Sequence, residues 1–150
     1  CRANFFAGQD PGDAYSEYFD AALTAADRGE FDVLGHLDVP KRRGEQFAAR
    51  FDPFQYEDQI REVLRKLVAK GRGIEINASG LRSPAAETCP SLPVVRWFHE
   101  EHGEIVTVSS DGHNPGQIGL GADVALAILR AAGFRYLATF EQRKPIFIAI

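Results

Sequence analysis

Methionine is absent from these 150 residues, and cysteine occurs only at Cys1 and Cys89. Two cysteines so far apart fit neither a disulfide framework nor a CxxC metal motif, so a reducing, cytoplasmic home is expected. With no methionine and an opening of CRANFF, the chain reads as if it starts inside a longer one. No apolar run approaches the roughly 18 residues of a membrane span, and no signal-peptide pattern is present, so no membrane partner is expected. A basic excess is missing as well. Lys and Arg number 17 against 21 Asp and Glu, a net charge of −4. A phosphate-backbone partner normally needs the opposite balance, so no nucleic acid is expected.

Familiar catalytic signatures are missing too. The segment WFHEEHG contains His99 and His102, but its HEEH lacks the spacing of the HExxH zinc motif. At a helix C-terminus both histidines read as solvated groups favoured by the helix dipole. GLGADVA has neither a strand directly before it nor the third glycine of a dinucleotide fingerprint. Ser109 and Ser110 stand in no GxSxG elbow.

What is present is a strong alternation of helix and strand patterns. AYSEYFDAALTAADRG places Tyr15, Tyr18, Phe19, Ala22, Leu23 and Ala26 at helical spacing, with Asp13 as N-cap and Gly29 as stop. YEDQIREVLRKLVAKG carries Ile60, Val63, Leu64, Leu67 and Val68 on one stripe, ended by Gly71. SLPVVRWFHEEHG, opening near Ser91, and ADVALAILRAAG read as two further helices. Between them FDVLGH, GIEINAS and EIVTVSS read as short strands, and RYLATF and KPIFIAI as a final hairpin joined by EQR. Strands alternating with helices imply βαβ units, an α/β fold and a parallel sheet.

In such folds ligands collect at the carboxyl ends of the strands. His36 and Asp38 end the first strand, Asn77 and Ser79 the second, Asp111 and His113 the third. Residues i and i+2 of an extended chain point the same way, about 6–7 Å apart, so Asp111 and His113 can bite one metal or bridge two. Gly112 between them lets the backbone turn. Taken alone, each motif also reads as a loop cap or a hydrogen-bonded structural histidine. Together they make a mixed His and carboxylate set of the kind that suits Zn, Mn or Fe. Arg82 lies beside this rim and is the preferred phosphate anchor; Lys41, Arg42 and Arg43 follow His36, and Arg143 lies in the terminal hairpin. Arginine grips phosphate oxygens with a bidentate fork, whereas the KRR run also reads as a solvated loop.

FDVLGHLDVPKR, GIEINASGLR and VTVSSDGH, in that order, resemble the later half of the histidinol-phosphatase branch of the PHP (polymerase and histidinol phosphatase) superfamily, as does the ending GFRYLATFEQRKPIFIAI. The resemblance runs from about Asp13 onward. It implies that residues 1–150 are the C-terminal portion of one distorted (β/α)7 barrel, with C-terminal βα units and a terminal hairpin. It also implies two or three divalent transition-metal ions, with His36, Asp111 and His113 among their ligands. Asp111 and His113 would carry the catalysis, and Arg82, Arg42 and Arg143 would bind substrate. The implied reaction is hydrolysis of histidinol phosphate to histidinol and phosphate, in histidine biosynthesis. The early HxH ligand pair of that branch occurs nowhere in this chain. The metal site is therefore expected to be incomplete, and the chain to pair with a missing N-terminal half or with a second copy. The alternatives are a PHP phosphoesterase acting on another phosphate ester, a non-catalytic PHP-like scaffold, and an unrelated α/β binding domain.

Overall fold

The computed structural model describes residues 6, 8, 10–44 and 50–150. Helix α1 (Pro11–Arg28) starts earlier than its apolar pattern suggests. Its N-cap is Asp10, not Asp13: the Asp10 carboxylate accepts the Gly12 N–H at 2.8 Å, and Pro11 takes the first helical turn, where its missing N–H costs nothing. A two-residue strand β1 (Val33–Leu34) follows, then a four-residue helix α2 (Lys41–Gly44). Helix α3 (Glu57–Ala69) buries Ile60, Val63, Leu64 and Leu67 of the stripe read from the sequence, and Val68 is half-buried. Strand β2 (Gly73–Asn77), helix α4 (Leu92–Glu100), strand β3 (Val106–Ser109) and helix α5 (Ala122–Ala132) complete the alternation. Strands β4 (Tyr136–Glu141) and β5 (Lys144–Ala149) form an antiparallel hairpin.

Strands β1, β2 and β3 pair in that order, all parallel. This is the α/β arrangement expected from the alternation. Ile74 and Ile76 of β2, with Val106 of β3, join one continuous core with Tyr15, Phe19, Leu64, Phe98 and Leu129 from the four long helices. Helix α1 packs on α3, α3 on α4 and α4 on α5. The other sheet face is polar. Side chains alternate along a strand, so Glu75 and Asn77 share a face, and their register partners are Thr107 and Ser109.

The hairpin is a separate two-stranded sheet. Phe134, Arg135 and Tyr136 at its base line a recess with Gly103 and Glu104, just before β3. Its tip reaches Asp32, just before β1, where Arg143 makes two hydrogen bonds of 3.0 and 3.1 Å. The hairpin thus runs along the amino edge of the sheet. Its two-residue turn, Gln142 and Arg143, has φ of 48° and 65°, the left-handed pair that matches strand twist. No helix among the described residues is long and apolar enough to cross a membrane.

Candidate functional site

The polar groups converge at the carboxyl edge of β2 and β3. Asn77 ends β2, and its side-chain oxygen accepts the Ser79 N–H at 2.9 Å, which starts the 3-10 turn Ala78–Arg82. The Ser79 hydroxyl donates to the same Asn77 oxygen and lies 3.1 Å from Asp111 Oδ2. Beyond β3 the chain turns sharply. The Asp111 N–H donates to Ser109 Oγ at 2.9 Å, and Asp111 itself has φ of 47°. A non-glycine residue in this region marks a backbone position held by its surroundings. Burial acts upward on the Asp111 carboxyl, but hydrogen bonds with Ser79 and Asn77 outweigh it and hold the group below the usual aspartate range.

His113 follows on the exposed side, its side chain 80% accessible. Its Nδ1 is 2.9 Å from the Asp111 carbonyl oxygen, which can only accept. In the neutral ring Nδ1 therefore carries the proton and Nε2 keeps a free lone pair, the tautomer a ligand or base requires. Both rim arginines come to the same place. Arg82 Nη2 donates to the Ser110 carbonyl at 2.7 Å, and Arg42 Nη1 stands 3.5 Å from Asp111 Oδ2. Arg42, Arg82, Ser79, Asn77 and Asp111 thus form one connected cluster.

His36 sits two residues past β1, with φ of 34°. Its N–H donates to Glu75 Oε2 at 3.1 Å, and its buried Nδ1 has no hydrogen-bond partner among the described residues. Glu75 also accepts from the Asn77 amide at 3.2 Å, so it links the His36 backbone to the Asn77 side chain from the polar sheet face. Sequence reading missed Glu75, although a lone acid inside the apolar strand GIEIN was visible.

Three expectations are corrected. Asp38 does not face the rim: its side chain is fully buried and paired with Lys41 at 2.8 Å. Arg143 does not reach the site, because the hairpin turns at the opposite edge of the sheet, where Asp32 holds it. Lys41 is likewise no solvated loop residue but a buried one. His99 and His102 are exposed, as read from the sequence.

Among the described residues, no group of three or more His, Cys, Asp and Glu side chains could hold a metal ion. The donor types nevertheless fit part of such a site: the unpartnered His36 Nδ1, the free Nε2 of His113 and the Asp111 carboxylate.

A parallel sheet backed by helices, with arginines, a carboxylate and histidines at its carboxyl edge, defines an α/β protein with a polar rim of mixed charge. The comparisons with known proteins narrow that class. Over 138 residues the chain is 34% identical to a protein of Deinococcus radiodurans named "Probable histidinol-phosphatase", covering 91% of this chain and 49% of that one. A Thermotoga maritima protein of the same name is 30% identical over 128 residues, covering 85% of this chain and 52% of its own length. The chain is similar in sequence to these proteins named as histidinol-phosphatases, and it spans about half the length of the curated relatives it matches. The fold matches the crystal structure of histidinol phosphate phosphatase from Lactococcus lactis, solved with zinc, L-histidinol and phosphate, at a TM-score of 0.78. That match has 24% identity and covers 95% of this chain and 54% of the other. No protein-family model matches the chain.

Proposed function

We propose that this chain is the C-terminal portion of a metal-dependent phosphomonoesterase that hydrolyses histidinol phosphate to histidinol and phosphate. The observation that carries this reading is the Arg42–Asp111–Arg82 cluster at the carboxyl edge, in a chain related over most of its length to histidinol-phosphatases. The relatives' extra length would close the sheet into a PHP-type barrel, and a second copy is the other candidate to cover it. Strand β5 is exposed along all six residues, and Tyr136, Ile146, Phe147 and Ile148 leave large apolar surface uncovered. Such an edge and face suit a partner.

His36, Asp111 and His113 would hold part of a divalent-metal set, completed by residues outside this chain. The Lactococcus protein holds zinc, while a His and carboxylate set also accommodates Mn and Fe. Bound metal ions supply a water of lowered pKa and neutralise charge on the phosphate. The chain's own residues do the rest. Arg82 and Arg42 bind the non-bridging phosphate oxygens through planar donors. Their charge stabilises the transition state as negative charge shifts onto those oxygens. The Asp111 carbonyl fixes the His113 tautomer, and Asn77 with Ser79 fixes the Asp111 carboxylate. Asp111 remains ionised at neutral pH.

The test is phosphate release from histidinol phosphate, set against nucleotide and sugar phosphates. It compares the 150-residue chain with a chain extended upstream to the length of its relatives. The extended chain should prefer histidinol phosphate, and the 150 residues alone should turn over at least about 100-fold more slowly. Arg82→Ala in the extended chain should lower kcat/KM by about 10- to 100-fold, the range for a lost charged phosphate contact. An extended chain inert toward histidinol phosphate refutes the reading.

A further inference from the structure

Lys41 is buried to 2% exposure, yet it belongs to no apolar stripe, and its ammonium pairs with Asp38, Thr88 and Glu87 rather than with the rim side chains. Its ammonium has three partners: Asp38 Oδ2 at 2.8 Å, the Thr88 carbonyl at 2.8 Å and Glu87 Oε1 at 3.3 Å. Asp38 Oδ2 also accepts the Ser91 N–H at 3.2 Å. The pair therefore joins two loops. One, after β1, carries His36 and Arg42; the other, after the turn bearing Arg82, runs through Glu87 to Ser91. The second loop is itself pinned to the rim, because Asn77 and Cys89 exchange hydrogen bonds of 2.8 and 3.0 Å. A continuous chain of contacts runs from Lys41 through Thr88, Cys89, Asn77 and Ser79 to Asp111.

We propose that Lys41 is a positioning residue: its buried ammonium, clamped between Asp38 and the Thr88 carbonyl, sets the placement of Arg42 against Asp111 and Arg82.

Stability alone does not call for this arrangement. A well-packed apolar pair of similar volume would hold two loops together as firmly as a buried ion pair, or more so. What the ammonium adds is direction, since its donors point at three fixed oxygens on two loops. Arg42 is the next residue along, so an error in the angle at Lys41 passes directly to it. Burial opposes the charge, but Asp38 and Glu87 outweigh it and keep the amine protonated. The clamp is thus present throughout the neutral range.

The proposal rests on the rim being the substrate-facing end. Its test needs no metal, substrate or turnover, so it fails separately from the phosphatase assay. In the unmodified 150-residue chain, the Lys41 ammonium should give a slowly exchanging NMR signal with contacts to Thr88. An ammonium in fast exchange with water overturns the proposal without any variant. Two variants follow, Lys41→Met and the neutral pair Asp38→Asn with Lys41→Met. In both, the Arg42 Nε–H and Asp111 amide resonances should move, and exchange protection of the Asn77 and Cys89 amides should fall by about tenfold or more. The neutral pair should recover the melting temperature lost in Lys41→Met while leaving the rim signals displaced. If the rim signals stay put, or return together with the melting temperature, Lys41 is only a structural residue.

Discussion

At the scale of single residues, what a side chain does here depends on partners far away in sequence. Cys89 is an example. It is fully buried beside Asp38, and burial first, then the Asp38 charge, pushes its thiol well above the usual cysteine range. The thiolate is the reactive form, so native Cys89 should be alkylated by iodoacetamide at pH 8 at least about 100-fold more slowly than in denaturant. Peptide mass spectrometry of the Cys89 fragment measures this, and equal rates would contradict the burial. Because the folded pKa lies above the unfolded one, this group favours folding at neutral pH. That contribution is lost as pH rises past the free thiol range. Asp38 and Lys41 were unreadable from sequence for a related reason. Burial of the lysine depends on Thr88, 47 positions on, and no local pattern announces that a charged pair is interior. That Asp111 and Arg82 lie at the rim was legible because strand-end loops are where α/β folds place polar groups.

At the scale of elements, periodicity carried most of the fold. The stripe Ile60, Val63, Leu64 and Leu67 is fully buried in α3, and the parallel order follows from the alternation. The misreadings lie at boundaries and orientation. Asp10 lies outside the apolar pattern that pointed to Asp13, because a cap answers to free backbone N–H groups and not to a buried face. Arg143 was misplaced because hairpin strands show the same pattern whichever edge of the sheet they follow. The 3-10 turn Ala78–Arg82 is the element on which the rim depends most. A Cβ on Gly80 would collide with the Glu87 carbonyl and press on the Cys89 sulfur. Gly80→Ala should therefore force the turn away from the following loop, at a cost of about 1–3 kcal/mol. Chemical denaturation measures it; an unchanged midpoint would show that the loop gives way freely.

At the scale of the whole molecule, one sheet face is dry and the other is not. Helices cover Ile74, Ile76 and Val106, whereas β5 and residues Ile118, Leu120 and Val124 leave apolar surface uncovered. The 150-residue chain should therefore self-associate with rising concentration in sedimentation velocity, and Phe147→Lys should shift it toward monomer. A wild-type chain that stays monomeric throughout would remove the case for a partner on the hairpin.

The polar sheet face gives that association a particular character. Half-buried Glu75, Thr107 and Ser109 carry a charge and hydroxyls that water can satisfy, and buried Asn77 is already satisfied by Glu75 and Ser79. This surface can stand wet without a penalty that drives it against another molecule. Attraction between copies then falls to the hairpin, where the exposed Tyr136, Ile146, Phe147 and Ile148 stand away from the charged turn. Contact of that kind weakens on cooling and strengthens with sulfate. A cold, sulfate-free buffer is thus where copies of the 150-residue chain should stay apart, with the polar sheet face still unpaired.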